Sequence, residues 1–101
     1  MASPELFKVI VIDESMHRQL AVKNMLPWKE LNCDIVAFAQ NNKDAYRLYS
    51  EIRPQIIILG VTGRRLDRIS LIHQIRRNDR DVQILLVMDT FQYFRVRSYI
   101  R

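Results

Sequence analysis

The chain has 101 residues and a formal net charge of +5, a length that fits one small domain. About half of the residues are apolar and only two are glycine, so the chain can bury a core and is not a disordered or low-complexity segment. No apolar run approaches the roughly 20 residues of a membrane span, the N-terminus lacks a signal-peptide pattern, and the single cysteine, Cys33, favours a reducing cytoplasm.

The first predicted strand is Phe7–Ile12, a β-branched apolar run that ends in Asp13 and Glu14. A nearly continuous apolar run is typical of a strand that is buried on both faces, as in a parallel sheet. Ser15 follows, and its hydroxyl can cap a helix that runs to about Leu26 and stops before the next proline. The chain therefore begins with a strand and a helix that are separated by an acidic pair.

The second strand is predicted at Asp34–Ala39, and Asn41 gives a turn and cap signal after it. The next apolar residues recur with helical spacing, which predicts the inner face of a second helix; they are Ala45, Leu48, Tyr49 and Ile52. A proline stops this helix. Ile56–Leu59 is then the clearest buried strand of the chain.

A loop is predicted over Gly60–Arg65, followed by a third helix with an inner face of isoleucines, Ile69, Ile72 and Ile75. Val82–Met88 is a fourth apolar strand. The pattern over Thr90–Arg101 predicts a fourth helix, and the residues expected on one side of it are Tyr93, Val96 and Ile100.

Strands and helices alternate four times, which predicts a parallel sheet with right-handed crossovers and helices on both faces. In such sheets, ligands bind at the carboxyl ends of the strands. The residues expected at that edge are Asp13, Glu14, Gly60 and Met88.

Four stretches carry a likeness to a known family. KVIVIDES places an acidic pair after the first strand, and MLPWKELNCDIVAFAQNNKDA fits the pattern W-x-x-L-x-x-x-V-x-x-A-x-N-G-x-x-A. RPQIIILG and LDRISLIHQIR are similar to KPDLVITD and MDGLELIKKIR. The chain thus resembles, without a gap from Phe7 to Arg101, the receiver domain of bacterial two-component response regulators. The subfamily it resembles most precedes AraC-type DNA-binding domains.

The resemblance implies a flavodoxin-like three-layer α/β sandwich with a parallel sheet in the order 2-1-3-4. A complete receiver also has a fifth strand and a fifth helix. Both are expected to be absent here, because the chain stops after the predicted fourth helix. Residues 1–101 are interpreted as one receiver-like domain.

The resemblance also implies a phosphorylation pocket, which is degenerate in this chain. Asp13 and Glu14 fall on the magnesium-binding acidic pair of the family, Gly60 on the phosphoacceptor aspartate, and Met88 on the hydroxyl residue that holds the phosphoryl group. Glycine offers no nucleophile and methionine no hydroxyl donor, and the partner lysine belongs to the absent fifth strand. We therefore expect no catalytic residue, no cofactor and no phosphorylation of the usual kind, with Met88 filling the vacant space.

Two alternatives remain for the acidic pair. Asp13 and Glu14 are either solvated carboxylates at a strand end or a site of residual weak magnesium binding. Two carboxylates alone give magnesium too few protein ligands for tight binding, which favours the first alternative.

The expected function is that of a regulatory and dimerisation domain in a transcriptional response regulator, not that of an enzyme. Such a domain acts in signal transduction and phosphorelay from the cytoplasm, and has no membrane partner. It would reach DNA only through a domain outside this chain. A histidine kinase or another regulatory protein is a further implied partner.

The sequence bears on two other function classes. Residues 62–101 contain nine arginines and four aspartates, which account for the whole net charge, so a nucleic-acid-binding module is the alternative function. The arginines fall on several predicted elements, however, which favours a solvated face. A flavodoxin-like enzyme would need a glycine-rich loop, and none follows the first strand.

The absence of a fifth strand would leave the fourth strand as an apolar sheet edge, which is a template for pairing with another chain. We therefore expect a homo-oligomer built on the fourth strand and the fourth helix. The interface residues of this prediction are Val87, Tyr93, Val96, Tyr99 and Ile100.

Overall fold

The computed structural model describes residues 5–61, 67–88 and 93–96. These residues form five strands and three helices, with a short 3-10 turn at Trp28–Leu31 after the first helix. In chain order the elements are β1 (Phe7–Ile12), α1 (Met16–Met25), β2 (Cys33–Ala39), α2 (Asn42–Ile52), β3 (Ile56–Val61), α3 (Asp67–Asn78), β4 (Gln83–Met88) and β5 (Tyr93–Val96).

The strands form one sheet in the order β2-β1-β3-β4-β5, and the first four are parallel. The predicted order 2-1-3-4 is therefore confirmed. Ile12 lies beside Ala39 on one side and beside Leu59 on the other, so β1 is an interior strand. Gly60 pairs with Val87 at the carboxyl end of β3.

Side chains alternate between two core layers, one on each face of the sheet. Tyr49 of α2 and Leu71 of α3 pack with Ile10 and Ile57 in the larger layer. The smaller layer lies under α1, and its buried members are Val9, Val11, Val22, Cys33, Ile58 and Val87. Because adjacent residues of a strand face opposite sides, the continuous apolar runs fill both layers and give the predicted three-layer sandwich.

The first two helices begin at their predicted caps. The Ser15 side chain accepts a hydrogen bond from the backbone N–H of Arg18, and the Asn41 side chain accepts one from Asp44. Each bond satisfies a backbone donor that the first turn of a helix leaves unpaired. None of the helices in the described ranges is long and apolar enough to cross a membrane.

The C-terminal region differs from the prediction. Tyr93–Val96 is a strand, β5, antiparallel to β4, with Val87 beside Tyr93 and Ile84 beside Val96. The predicted helix over Thr90–Arg101 is therefore wrong at these residues, and so is the absence of a fifth strand. Tyrosine, phenylalanine and valine favour strands, and the edge of β4 offers unpaired backbone groups that a helix could not satisfy.

This strand also changes the predicted interface. The β4 edge that was expected to pair with a second chain is hydrogen-bonded to β5, and Val87 is buried in the smaller layer. Tyr93 and Val96 belong to a strand and not to a helix face. Tyr99 and Ile100 lie outside the described residues. The expectation of a free β4 edge is therefore wrong, and the homo-oligomer itself stays a prediction.

An apolar groove of about 320 Å³ opens on the α1 side of the sheet. Its lining comes from the last turn of α1, the 3-10 turn and strands β3 and β4: Val22, Met25, Leu26, Trp28, Ile58, Leu85 and Val87. The Trp28 indole N–H donates to the carbonyl oxygens of Val22 and Lys23, both at 3.1 Å, and so holds one wall in place.

Candidate functional site

The candidate site lies at the carboxyl edge of the sheet. Asp13 follows β1 directly, and its backbone N–H donates to the Ala39 carbonyl oxygen at 2.9 Å. Gly60 lies beside it in β3. An ideal Cβ added to Gly60 would be 2.0 Å from Asp13 Oδ2 and 2.6 Å from its Cγ. The Asp13 carboxylate therefore occupies the space that any larger side chain at position 60 would need.

Asp13 is only 2% exposed, and its carboxylate has partners within the chain. Arg18 Nε lies 3.1 Å from Oδ1 and 3.0 Å from Oδ2. The backbone N–H of Ser15 donates to Oδ1 at 2.9 Å. The side-chain amide of Gln19 holds the Asp13 carbonyl oxygen at 2.8 Å. A buried carboxylate is stable only when it is paired and hydrogen-bonded, and these contacts meet that requirement.

The other two predicted site residues lie at the same edge but outside this cluster. Glu14 is exposed, and its carbonyl oxygen accepts a hydrogen bond from the Gln40 side chain at 3.1 Å. Met88 ends β4 beside Val61 and is 37% exposed. The expectation that Met88 fills the vacant space is therefore wrong, because the Asp13 side chain fills the space over Gly60.

The magnesium ion that the family resemblance implies does not fit these residues. Magnesium prefers several oxygen ligands, usually including one or two carboxylates. Position 60 offers no side chain, and both oxygens of Asp13 face a guanidinium. Across residues 5–61 and the other described ranges, no group of three or more His, Cys, Asp or Glu residues is placed to hold a metal.

Two arginines near this edge have roles that the sequence did not reveal. Arg18, in the first turn of α1, reaches back five residues to Asp13. The one hint in the sequence is that a basic residue follows soon after the acidic end of β1 and the helix cap Ser15. Arg68 is 4% exposed and donates to the Asn42 side chain and to the Gln40 carbonyl oxygen, so it joins α3 to the start of α2. No pattern distinguished Arg68 from the other arginines.

The two histidines and the cysteine do not belong to any group in the described residues that could hold a metal ion. His17 is exposed on α1 and His73 is half-buried on α3, as two separate packed or solvated side chains. Cys33 is buried with a free thiol in the α1-facing layer. Asp67 begins α3, but its side chain lies outside the described part of the chain.

A second polar cluster lies at the opposite, amino edge of the sheet and joins α2 to the loop before β4. The Tyr49 hydroxyl donates to Asp79 Oδ2 at 2.9 Å, while Oδ1 accepts the backbone N–H groups of Asp81 and Val82 at 2.9 and 3.0 Å. Burial, and then the bond to Asp79, raises the pKa of Tyr49 to about 12. Burial also acts to raise the pKa of Asp79, but its three hydrogen bonds and the Arg53 charge outweigh burial and lower that pKa.

A parallel sheet in this order, with an acidic residue directly after its first strand, is the arrangement expected of a receiver domain. Comparisons with known proteins agree. The chain is 26% identical over 81 residues to the chemotaxis protein CheY of Listeria monocytogenes, a match that covers 80% of this chain and 66% of CheY. It is 24% identical over 90 residues to the transcriptional regulatory protein HptR of Staphylococcus aureus, covering 89% of this chain and 36% of HptR.

The fold is also similar to that of the REC domain of AraT, a response regulator from Geobacillus stearothermophilus. The TM-score is 0.74 at 18% identity, over 82% of this chain and 64% of the AraT chain. No family model matches the chain. The chain has the fold of a receiver domain and is similar in sequence to proteins of the response-regulator class. It spans just under two thirds of CheY and about a third of HptR.

Proposed function

We propose that this receiver domain regulates transcription through protein contacts, without phosphorylation of an aspartate. The observation that carries the proposal is the pair formed by Gly60 and Asp13. By the family resemblance Gly60 falls on the position of the acceptor carboxylate, and the Asp13 side chain fills the space above Gly60. Phosphoryl transfer to a receiver needs a carboxylate nucleophile with a metal beside it, and this edge offers a glycine and a guanidinium-paired aspartate instead.

The domain would then act by presenting a surface to a histidine kinase, another regulatory protein or a second copy of itself. Contact with DNA would come from a domain outside this chain, as the transcriptional relative HptR suggests. Direct DNA binding through the basic C-terminal half has less support. Four of its arginines have described side chains, and two of them, Arg68 and Arg76, are buried among internal partners.

Incubation with acetyl phosphate and magnesium is expected to leave the protein unlabelled, because position 60 has no nucleophile. Intact-mass spectrometry after incubation measures this directly. A receiver that retains an acceptor aspartate serves as the positive control. A hydroxylamine-sensitive phosphoryl group on the wild-type chain would contradict the proposed function.

We also propose a homodimer, with the apolar groove beside α1 as its interface in place of the β4 edge. All seven described side chains that line the groove are apolar. Leu26 is exposed and Met25, Trp28 and Leu85 are half-buried, and an exposed apolar patch is typical of an interaction site. Among the described residues, α1 is the one helix on this face of the sheet, whereas α2 and α3 cover the other. A second copy can bury the same groove on both partners, as two-fold interfaces do.

Leu26→Glu is expected to shift the protein to the monomer, because Leu26 lines the groove and is 44% exposed. A carboxylate there would have to be buried without a partner in the dimer. Sedimentation velocity at micromolar concentration measures the change. Leu31→Glu is the matched control, since Leu31 is 49% exposed and does not line the groove. A monomeric wild-type protein would contradict the dimer.

A further inference from the structure

We propose that the Arg68 guanidinium and the first turns of α2 and α3 form a binding site for a small, doubly charged oxyanion such as phosphate or sulfate. The site goes beyond the proposed function and involves neither Asp13 nor Gly60. Arg68 is 4% exposed, and its Nε has no hydrogen-bond partner among the described residues. Its Nη1 donates to Asn42 Oδ1, and its Nη2 donates to the Gln40 carbonyl oxygen at 3.3 Å.

The charge of Arg68 lacks a counter-charge in the described parts of the chain. Both of its acceptors are neutral, and it forms no ion pair there. The other arginines near the core differ in this respect. Arg76 is also buried, but the charge of Asp79 acts on it, and Arg18 pairs with Asp13. A buried charge without a counter-charge is strongly unfavourable, so an anion beside Arg68 would stabilise the fold.

Two helix N-termini add positive potential at the same place. The guanidinium contacts Asn42, the first residue of α2, and Arg68 is itself the second residue of α3. Each N-terminus carries about +0.5 elementary charge, so the guanidinium and the two helix ends together amount to about +2. Asp44 lies in the first turn of α2, but its carboxylate contacts Arg47 and the Asn41 side chain. The local charge therefore favours a doubly charged oxyanion over a single carboxylate.

The described residues also offer a further donor and a route from solvent. The Asn41 side chain caps α2 by accepting the N–H of Asp44, which leaves the Lys43 N–H of the same turn without an acceptor in the helix. Such N–H groups bind anions at helix N-termini. Gln40 and Lys43 are exposed and Asn42 is half-buried. The guanidinium thus lies one side chain below the surface, within reach of a small anion.

Phosphate is expected to stabilise the wild-type protein through Arg68. About 20 mM potassium phosphate at neutral pH should raise the melting temperature by about 5 °C over potassium chloride of equal ionic strength. Sulfate should act like phosphate, and acetate like chloride. Arg68→Gln removes the charge and should lose this rise. Arg77→Gln should keep it and is the matched control, since Arg77 is exposed in the last turn of the same helix. General salting-out acts on all three proteins alike.

An NMR titration of the wild type gives a test that does not require the Arg68 variant to fold. The Arg68 Nε–H signal and the Lys43 backbone amide should shift together and saturate as phosphate is added. The inference is overturned if phosphate stabilises the wild type no more than chloride or acetate does, or if Arg68→Gln keeps the full response. Shifts that never saturate, or that spread evenly over the exposed lysines and arginines, would overturn it as well. Labelling by acetyl phosphate tests position 60 separately, so the inference and the proposed function can each fail without the other.

Discussion

Gly60→Ala is expected to destabilise the domain by about 3 kcal/mol. The added methyl group would be 2.0 Å from Asp13 Oδ2 and 3.1 Å from its Cβ. A contact that short cannot be relieved by a small shift, so the Asp13 side chain has to rotate away from Arg18. The cost combines overpacking with the partial loss of a counter-ion for a buried charge. Urea unfolding at neutral pH measures the change in the free energy of unfolding.

A double-mutant cycle identifies the cause of that loss. In an Asp13→Ala background the space above position 60 is free, so Gly60→Ala should cost less than about 1 kcal/mol there. If the alanine at position 60 is equally costly with and without the Asp13 carboxylate, the steric argument is wrong. Gly60→Asp should be more destabilising than Gly60→Ala, because it adds a like charge beside Asp13. Restoring the family's acceptor residue alone is therefore not expected to restore phosphorylation.

The strands β1 to β4 could be predicted from the sequence because their residues are nearly continuous apolar runs. A strand made of such a run has apolar side chains on both of its faces and is buried on both. Its prediction therefore does not depend on which other elements pack against it. The segment Tyr93–Val96 is different. Its aromatic and β-branched residues fit a helix face as well as a strand, and the choice is made by the exposed edge of β4. That edge exists only after the rest of the sheet has formed.

In the candidate site, too, some features could be predicted from nearby residues and others depend on residues that only the fold brings together. The position of Asp13 beside Gly60 followed from the rule that parallel strands end at one edge. The contact between Arg18 and Asp13 could not be predicted from the sequence, because an arginine at that position has many solvated conformations. The conformation that Arg18 adopts depends on the burial of Asp13 and on the space that Gly60 leaves for the Asp13 side chain. The prediction that Met88 fills the vacant space is wrong for the complementary reason, because the Asp13 side chain already fills the space above Gly60 and Met88 is exposed.

The second large effect is expected at Asp79, at the opposite edge of the sheet from the site. Asp79→Ala should lower the free energy of unfolding by about 3 kcal/mol, because it removes the acceptor for two backbone N–H groups and for the Tyr49 hydroxyl. Asp79→Asn keeps an acceptor oxygen for the backbone and should cost about 1 kcal/mol. Asp81→Asn is the control, since Asp81 is exposed. A loss in Asp79→Ala no larger than in this control would contradict the role of the cluster.

The pH dependence of the same variants tests the charge of Asp79 separately from its hydrogen bonds. The pKa of Asp79 in the folded state lies below its ordinary value of 3.8, so the folded protein holds the ionised form more strongly than the unfolded chain does. The stability that Asp79 contributes through its charge is therefore complete above about pH 4 and is lost as the pH falls through the folded-state pKa. Wild type and Asp79→Asn should differ most near neutral pH and converge in acid, as followed by urea unfolding at a series of pH values. A difference that stays constant down to pH values well below 3.8 would show that the backbone and Tyr49 hydrogen bonds, and not the charge, account for the role of Asp79.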